Sequence, residues 1–331
     1  MIKKRIIFLV GPTGIGKSAA AISLAKKINA EIISCDSMQV YRKMDIITSK
    51  VSLAQRKNIK HHLLGIAGPG KEYNAAKYRK GALSICKKLF QKGKIPLFTG
   101  GTGLYYSVII DGLFPKVSED KLIRAKLNKE LEFKGSRYLY RRLVKVDPQA
   151  CDKIHFNDGR RIVRALEVYL KTGKPISVLQ KSRVGLGEEY EIKIFGLNLN
   201  RQFLYERINQ RVEKMFRIGL VKEVKRLLGF DKILRPFGPQ DGLLGECRKK
   251  KLPRCQLSKT AACAIGIREL EGYFNGRWPL EEAKRLIQRN SRRYAKRQLT
   301  WFRKDKRVQW ININNKETPA RIALKLWKKL S

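Results

Sequence analysis

Short apolar runs alternate with helix-forming segments in the first third of the chain. The three clearest runs are RIIFLV at 5–10, AEIISC at 30–35 and IPLFTG at 95–100. Uninterrupted apolar runs of this length, separated by helical segments, are typical of strands in a parallel sheet that is covered on both faces. The pattern therefore predicts the first part of an α/β core, over residues 1–113.

Residues 114–188 follow a different pattern. They contain charge-rich helical segments and no convincing strand, and the strand pattern resumes at YEIKIFGLNLN, which starts at Tyr190. Gly173 and Pro175 supply a helix stop near the end of this region. We interpret 114–188 as a helical insertion domain and 189–331 as the completion of the core with basic helices at its end.

Helical patterns dominate the chain after residue 200. An amphipathic stretch has a possible break at Gly219, and the Pro/Gly-rich, basic stretch after it, including an insertion at 237–256, is interpreted as a flexible loop. Further on, LEEAKRLIQRNSRRYAKRQLTWFRK predicts a long helix. Arginines recur on it at every fourth position and are predicted to project from one face: Arg285, Arg289, Arg293 and Arg297. A solvated face is the usual interpretation, but few acidic residues relieve their repulsion, which favours a polyphosphate partner.

Composition changes this picture mainly through charge. The formal net charge is +45, and lysine and arginine are spread along all 331 residues. Such a field favours a polyanion, nucleic acid above all, while a general drift of composition toward lysine and arginine explains the charge equally well. No apolar stretch approaches about 18 residues, so no membrane span is predicted. Six cysteines without the paired spacing of a zinc site favour a reducing, cytoplasmic setting.

A glycine-rich loop follows the first predicted strand. GPTGIGKS fits G-x-x-x-x-G-K-[ST] and precedes a helix-forming segment, the order that points backbone N–H groups at a phosphate. Lys17 adds a point charge, and Ser18 offers a hydroxyl to Mg²⁺. The predicted fold is therefore a P-loop NTPase-like parallel sheet, with these phosphate-binding residues: Gly11, Pro12, Thr13, Gly14, Ile15, Gly16, Lys17 and Ser18.

Most chains with this loop act on the γ-phosphate of a nucleotide, so a kinase or NTPase is the first hypothesis. The third strand ends in GGTG without a carboxylate, which leaves Asp36 as the available acid. Because the carboxyl ends of parallel strands meet at one edge of a sheet, we expect Asp36 and Thr102 to face the phosphate loop. A carboxylate there holds Mg²⁺ or accepts a proton, and the sequence does not separate these roles.

Eight segments in the same order resemble the tRNA dimethylallyltransferases, also called tRNA isopentenyltransferases: GPTGIGKS, CDSMQVYRKMDIITSK, KHHLL, IPLFTGGTGLYY, HFNDGRRIVRALEVY, RINQRVEKMFRIGLVKEV, AIGIREL and RRYAKRQLTWFR. The resemblance implies transfer of the dimethylallyl group from dimethylallyl diphosphate to N6 of adenine 37 of tRNA, beside the anticodon, with release of pyrophosphate. It also implies Mg²⁺ and an enzyme that binds the anticodon stem-loop. We further expect a monomer of bacterial type that binds no membrane. A small-molecule kinase and an RNA-binding protein with a vestigial loop are the alternatives.

The resemblance also implies roles for single residues. Asp36 matches the family's general base, and Thr102 matches a threonine near the reacting groups. Lys17 would neutralise charge on the departing pyrophosphate. Arg207 and Arg211 look like further ligands of the diphosphate or the tRNA backbone, and a surface ion pair is the alternative for both.

The target base stacks inside the anticodon loop, so the enzyme must extrude it. Three groups of residues match positions of the family that contact tRNA. They are Ser37, Met38 and Gln39 next to the proposed base; Arg124, Arg160, Arg161, Ile162, Val163 and Arg164 in the helical insertion; and Cys263, Ala264, Ile265, Gly266, Ile267 and Arg268 near the end of the chain. Departures from the family pattern are Ile47 for a usual glycine, Gly65 for an aspartate and Ile267 for a tyrosine. His61 and His62 favour a structural role.

Overall fold

The computed structural model describes residues 3–114, 117–187, 189–230 and 257–330. It divides into two compact units: the described parts of Met1–Ser107 and Glu189–Ser331 form one, and those of Val108–Glu188 form the other. The insertion at 237–256, with Cys247 and Cys255, lies outside the described residues. None of the helices in the described ranges combines the length and apolar character that crossing a membrane requires.

One parallel sheet organises the first unit. Its strands among the described residues are β1 (Arg5–Val10), β2 (Ala30–Ser34), β3 (His61–His62), β4 (Ile95–Gly100), β5 (Glu191–Asn198) and β6 (Gln309–Asn312). Their order across the sheet is β3-β2-β4-β1-β5-β6, and each neighbouring pair of these strands is parallel. The predicted strands at 5–10, 30–35 and 95–100 are confirmed, and the sheet resumes after the insertion as expected.

Helices cover both faces of this sheet. They are α1 (Lys17–Lys27), α2 (Leu53–Arg56), α3 (Ala75–Gln91), α4 (Gly103–Ile110), α9 (Arg201–Arg217), α10 (Leu220–Leu228), α11 (Ile267–Phe274), α12 (Leu280–Arg303) and α13 (Pro319–Lys328). The break predicted between α9 and α10 is confirmed at Gly219, whose φ of 102° ends the first helix and begins the second.

Alternate residues of β1 enter two different parts of the core. Ile7 and Leu9 are fully buried in a cluster that includes residues of α1, α9 and α13. Phe8 points the other way and stacks on Phe98 of β4 with ring centroids 4.6 Å apart. Burial on both faces holds the ends of β1 and β4 rigidly, and so fixes the loops that follow them.

The second unit is helical, as its sequence predicts. It contains α5 (Lys121–Val146), α6 (Pro148–Cys151), α7 (Gly159–Thr172) and α8 (Ile176–Lys181). Leu127, Leu139 and Leu166 belong to its own buried cluster. The helix stop at Gly173 is confirmed, because this residue caps α7 with a φ of 68°.

Candidate active site

The phosphate loop lies between the carboxyl end of β1 and the first turn of α1. Gly16 precedes α1 with a φ of 97°, a conformation that favours glycine. The Lys17 ammonium folds back over the loop and donates to the carbonyl oxygen of Pro12 at 2.6 Å. Burial of this ammonium lowers the pKa of Lys17 to about 7, although Asp36 opposes the shift. The loop therefore holds a lysine that a bound anion would restore to its charged form.

Two arginines of α9 contact the same loop. Arg211 donates to Thr13 Oγ1 and to Ser49 Oγ, each at 2.7 Å, and burial lowers its pKa while Asp36 opposes that shift. Arg207 donates to the carbonyl oxygen of Ile15 at 3.3 Å. Arg207 also donates to the side-chain and backbone oxygens of Asn315. Both arginines thus bond to neutral oxygens beside the loop rather than to the carboxylates that a surface ion pair would require.

Asp36 and Thr102 follow neighbouring strands near the phosphate loop, as predicted from the strand ends, and Ser37 links them. Asp36 Oδ1 accepts hydrogen bonds from the backbone of Met38 at 2.9 Å and of Gln39 at 3.4 Å. Thr102 Oγ1 accepts from the backbone of Ser37 at 3.0 Å and donates to Ser37 Oγ at 3.3 Å. Hydrogen bonds within the segment 36–39 and from Thr102 therefore hold this segment in place.

Two cavities meet at this segment. The first has a volume of about 490 Å³ and contains Lys17, Ser18 and Thr99 in its wall. The second has a volume of about 300 Å³ and contains Ser37, Met38 and the segment 263–265. The residues that line both are Thr13, Asp36, Thr48 and Arg211. Asp36 therefore lies where a cavity lined by the phosphate loop adjoins a second cavity.

The second cavity is largely apolar. Its walls include Ile47, Ile208, Val212, Met215 and Ile287, with Tyr294 and Arg297 of α12 as polar members. Burial raises the pKa of the Tyr294 phenol, and the charge of Asp36 raises it further. Its hydroxyl therefore stays protonated at physiological pH. A cavity with apolar walls and a few hydrogen-bonding groups suits a flat heterocycle.

Segment 263–268 reaches the second cavity through Cys263, Ala264 and Ile265. Gly266 has a φ of 113°, and a Cβ there would lie 3.2 Å from the Ile47 side chain. The positive φ and the close Ile47 side chain both favour glycine at this position. Ile267 is buried and Arg268 is exposed.

Sequence reasoning missed two side chains that hold the site together. Gln298 of α12 is 5% exposed and bridges Thr13 to Gly101. Glu223 accepts hydrogen bonds from three successive backbone N–H groups, those of Asp45, Ile46 and Ile47, at 2.8 to 2.9 Å. Gln298 lies in the segment RRYAKRQLTWFR, whose resemblance could have directed attention to it. The role of Glu223 has no local pattern in the sequence.

The arginines predicted to contact tRNA in the second unit are partly engaged within it. Arg124 and Arg164 pair with Glu167, which is fully buried, at 2.6 and 2.9 Å. Burial alone would raise the pKa of Glu167, but hydrogen bonds from the two arginines outweigh it and lower this pKa. Arg161 pairs with Asp158 at 3.1 Å, and Arg160 is exposed. The side chains of two other predicted contacts lie in the core of this unit: Ile162 and Val163.

The arginine row of α12 does not occupy a single face. Four residues exceed one helical turn, so each step rotates by about 40°. Arg285 pairs with Glu282 at 2.6 Å on the surface, whereas Arg297 lines the second cavity. The prediction therefore holds for neighbouring members and is wrong for the row as a whole.

The paired histidines behave as structural groups where the structure describes their contacts. His62 Nε2 lies 2.7 Å from a carboxylate oxygen of the buried Glu31, which also accepts from Lys94 at 2.6 Å. His61 Nδ1 lies 2.8 Å from the carbonyl oxygen of Ile59. His61 also lines the first cavity. No group of three His, Cys, Asp or Glu side chains within the described ranges could hold a metal by itself.

A parallel α/β sheet with a phosphate loop after its first strand defines a P-loop NTPase-like fold. Within that class, residues 39–305 match the family model "IPP transferase", and residues 4–60 match "Isopentenyl transferase". The chain belongs to the IPP transferase family.

Relatives match over nearly the whole chain. A tRNA dimethylallyltransferase of Carboxydothermus hydrogenoformans is 44% identical over 98% of this chain and 97% of the relative. The solved tRNA isopentenylpyrophosphate transferase of Bacillus halodurans is 34% identical, with a TM-score of 0.67 and coverage of 99% and 96%. A eukaryotic dimethylallyltransferase solved while acting on tRNA is 30% identical, with a TM-score of 0.76 and coverage of 98% and 76%.

Proposed function

We propose that this protein transfers the dimethylallyl group of dimethylallyl diphosphate to N6 of adenosine 37 in tRNA and releases pyrophosphate. The observation that carries the proposal is the position of Asp36 between two cavities, one lined by the phosphate loop and one largely apolar. A transferase needs this arrangement, because the prenyl donor and the acceptor adenine must approach the same catalytic carboxylate from different sides. Family membership supports the same activity.

The diphosphate occupies the first cavity in this proposal. Lys17 and Arg211 both lie in its wall, and burial weakens the charged form of each side chain there. Thr99 Oγ1 lines the same cavity and is buried without a hydrogen-bond partner in the described structure. A phosphate oxygen, or a water held by it, would satisfy this hydroxyl, and the phosphate charge would favour the charged form of Lys17. The charges of Lys17 and Arg211 then stabilise the negative charge that develops on the departing pyrophosphate.

The adenine occupies the second cavity with its amino group toward Asp36. The lone pair of an exocyclic amine is delocalised into the ring, so the amine is a weak nucleophile. Asp36 removes a proton from N6 as the new carbon–nitrogen bond forms and the carbon–oxygen bond to the diphosphate breaks. The Thr102 hydroxyl is bonded to Ser37. In this proposal it lies beside the adenine amino group and positions that group.

The residues present fit Mg²⁺ only together with the diphosphate. Mg²⁺ in proteins is commonly bound by one or two protein oxygens plus substrate phosphates and water. Ser18 offers such an oxygen in the first cavity, and Asp36 is the only carboxylate among the described residues that line it. When bound, the ion neutralises charge on the phosphates. Ser18 is the residue we propose to hold it.

Recognition of the anticodon stem-loop is proposed for the second unit and for segment 263–268. Arg160 and Arg161 are the most accessible of its matched arginines, whereas Arg124 and Arg164 share the buried Glu167. The net charge of +45 adds a nonspecific attraction to phosphates that falls with salt. One chain supplies both cavities, which supports action as a monomer. A reducing compartment such as the cytoplasm suits the free thiols of Cys35, Cys86, Cys151 and Cys263.

The proposal is tested by incubating the protein with dimethylallyl diphosphate labelled with ¹⁴C in its prenyl group and with unmodified tRNA, in the absence of ATP. Label is expected in tRNA, at adenosine 37 after nuclease digestion. A kinase would leave the tRNA unlabelled and consume ATP instead. An RNA-binding protein with a vestigial loop would bind tRNA without any transfer, and either result would contradict the proposal.

A further inference from the structure

Trp301 is a large aromatic side chain on the surface next to the site. It lies on α12 and remains 41% exposed. Its indole rests on the backbone of Gly103, so closely that a Cβ at this glycine would collide with the ring. Gly103 directly follows Thr102. The ring is thus fixed on one side by the loop that carries a proposed active-site residue and open to solvent on the other.

The surroundings of Trp301 combine apolar and cationic groups. Leu104, which follows Gly103 in the chain, is 54% exposed. Arg297, four residues before Trp301 on α12, and Lys304, which caps the end of this helix three residues after Trp301, are also exposed. Arg297 lines the second cavity as well. The cationic row of α12 therefore leads from the cavity to an exposed indole.

An exposed indole beside cationic side chains is a surface that suits single-stranded nucleic acid. Proteins hold unpaired nucleotides with cations along the backbone and with aromatic rings on which bases stack. Arg297 and Lys304 are both exposed, as cations that contact phosphates must be. A base extruded into the second cavity necessarily brings its chain neighbours to the mouth of that cavity.

We propose that Trp301, supported by Gly103 and flanked by Leu104, is a stacking platform for a nucleobase adjacent to the target adenosine. Arg297 and Lys304 contact the phosphates on either side. The inference rests on the proposed function, because it takes the acceptor to be the anticodon loop. It adds a side chain that determines specificity for the RNA acceptor and plays no part in binding dimethylallyl diphosphate.

A double-mutant cycle tests the platform. The affinity of a fluorescently labelled anticodon stem-loop is measured by anisotropy for wild type, Trp301→Leu and Trp301→Phe, with intact loops and with loops that lack the base on either side of the target adenosine. Trp301→Leu is expected to weaken binding about 5- to 150-fold, and Trp301→Phe to retain most of the affinity. Removing the stacked base should weaken binding to wild type and have little effect on Trp301→Leu.

Trp327 supplies the matched control, because it is 43% exposed and lies on α13. Trp327→Leu should bind the stem-loop as wild type does. Equal losses from base removal in wild type and Trp301→Leu would overturn the platform, as would wild-type affinity of Trp301→Leu. Melting temperature and the KM for dimethylallyl diphosphate, measured on the same preparations, reveal a variant that is merely misfolded. Absence of label transfer by wild type would contradict the proposed function. The binding measurements would still test whether Trp301 stacks on a base.

Discussion

Gln298 and Thr13 form a hydrogen bond of 2.8 Å that links α12 to the phosphate loop. The same side chain donates to the carbonyl oxygen of Gly101, also at 2.8 Å. Since both partners are backbone groups, one buried amide determines how far the phosphate loop lies from the loop that carries Thr102. The spacing of the two loops at the active site therefore depends on Gln298, a residue of α12 that also lines the first cavity.

Gln298→Met tests this link, because methionine has a similar volume but forms neither bond. The buried carbonyl of Gly101 and the partly buried N–H of Thr13 would each lose this partner, so the free energy of unfolding should fall by about 1.5 to 4.5 kcal/mol. The KM for dimethylallyl diphosphate should rise. Gln288→Met is the matched control, since Gln288 lies on the same helix and bonds to Glu213 away from the loop. Equal effects of the two substitutions would contradict the assigned role of Gln298.

Lys17→Ala should abolish most transfer without abolishing tRNA binding. The variant loses the ammonium that offsets charge on the departing pyrophosphate, so kcat should fall by about 10²-fold or more. Stem-loop affinity, measured by anisotropy, should change little because the proposed RNA contacts lie elsewhere. Lys26→Ala, an exposed substitution on the same helix, serves as the control. Loss of RNA binding in step with transfer would show that Lys17 belongs to the RNA site.

Binding of the diphosphate should be accompanied by uptake of a proton. With a pKa of about 7 in the free protein, Lys17 is mostly neutral at pH 8, and a phosphate beside it would raise this pKa. Calorimetry of dimethylallyl diphosphate binding in buffers of different ionisation enthalpy should report uptake of up to about one proton. Lys17→Met should remove it. Buffer-independent heats for wild type would contradict a neutral Lys17.

The same lysine predicts a pH dependence of stability. Its folded-state pKa lies below the ordinary value of 10.5, so the unfolded chain binds more protons between about pH 7 and pH 10.5. The contribution of Lys17 to the free energy of unfolding should therefore rise with pH across this window. Denaturant titrations of wild type and Lys17→Met should show this rise only in wild type. A parallel pH dependence of the two proteins would assign the effect to other groups.

Asp36→Asn separates proton transfer from positioning. Asparagine retains an Oδ1 acceptor for the backbone of Met38 but is a far weaker base. We expect kcat to fall by about 10²-fold or more, with little change in tRNA affinity. Asp45→Asn is the control, because Asp45 is an exposed acid in the same part of the chain. Turnover near the wild-type rate would refute the role of Asp36 as general base.

The central strands and the phosphate loop could be predicted because each is a contiguous pattern. β3 and β6 were not predicted, since strands of two and four residues at the sheet edges carry too little periodicity. The positions of Asp36 and Thr102 near one another could be predicted because each follows a strand of a parallel sheet, and the carboxyl ends of such strands lie at one edge. Gln298 could not be derived from spacing, because its partner Thr13 lies 285 residues away and only the folded chain brings them together.

A donor labelled with ³²P in its diphosphate and with ¹⁴C in its prenyl group tests the central claim most directly. The claim is that the phosphate loop holds a diphosphate that leaves whole, whereas its usual task is to hold a phosphoryl group that moves. With unmodified tRNA and no ATP, all ¹⁴C that reacts should enter tRNA, and an equal amount of ³²P should appear as free pyrophosphate. Entry of ³²P into any acceptor, or a requirement for ATP, would contradict the account.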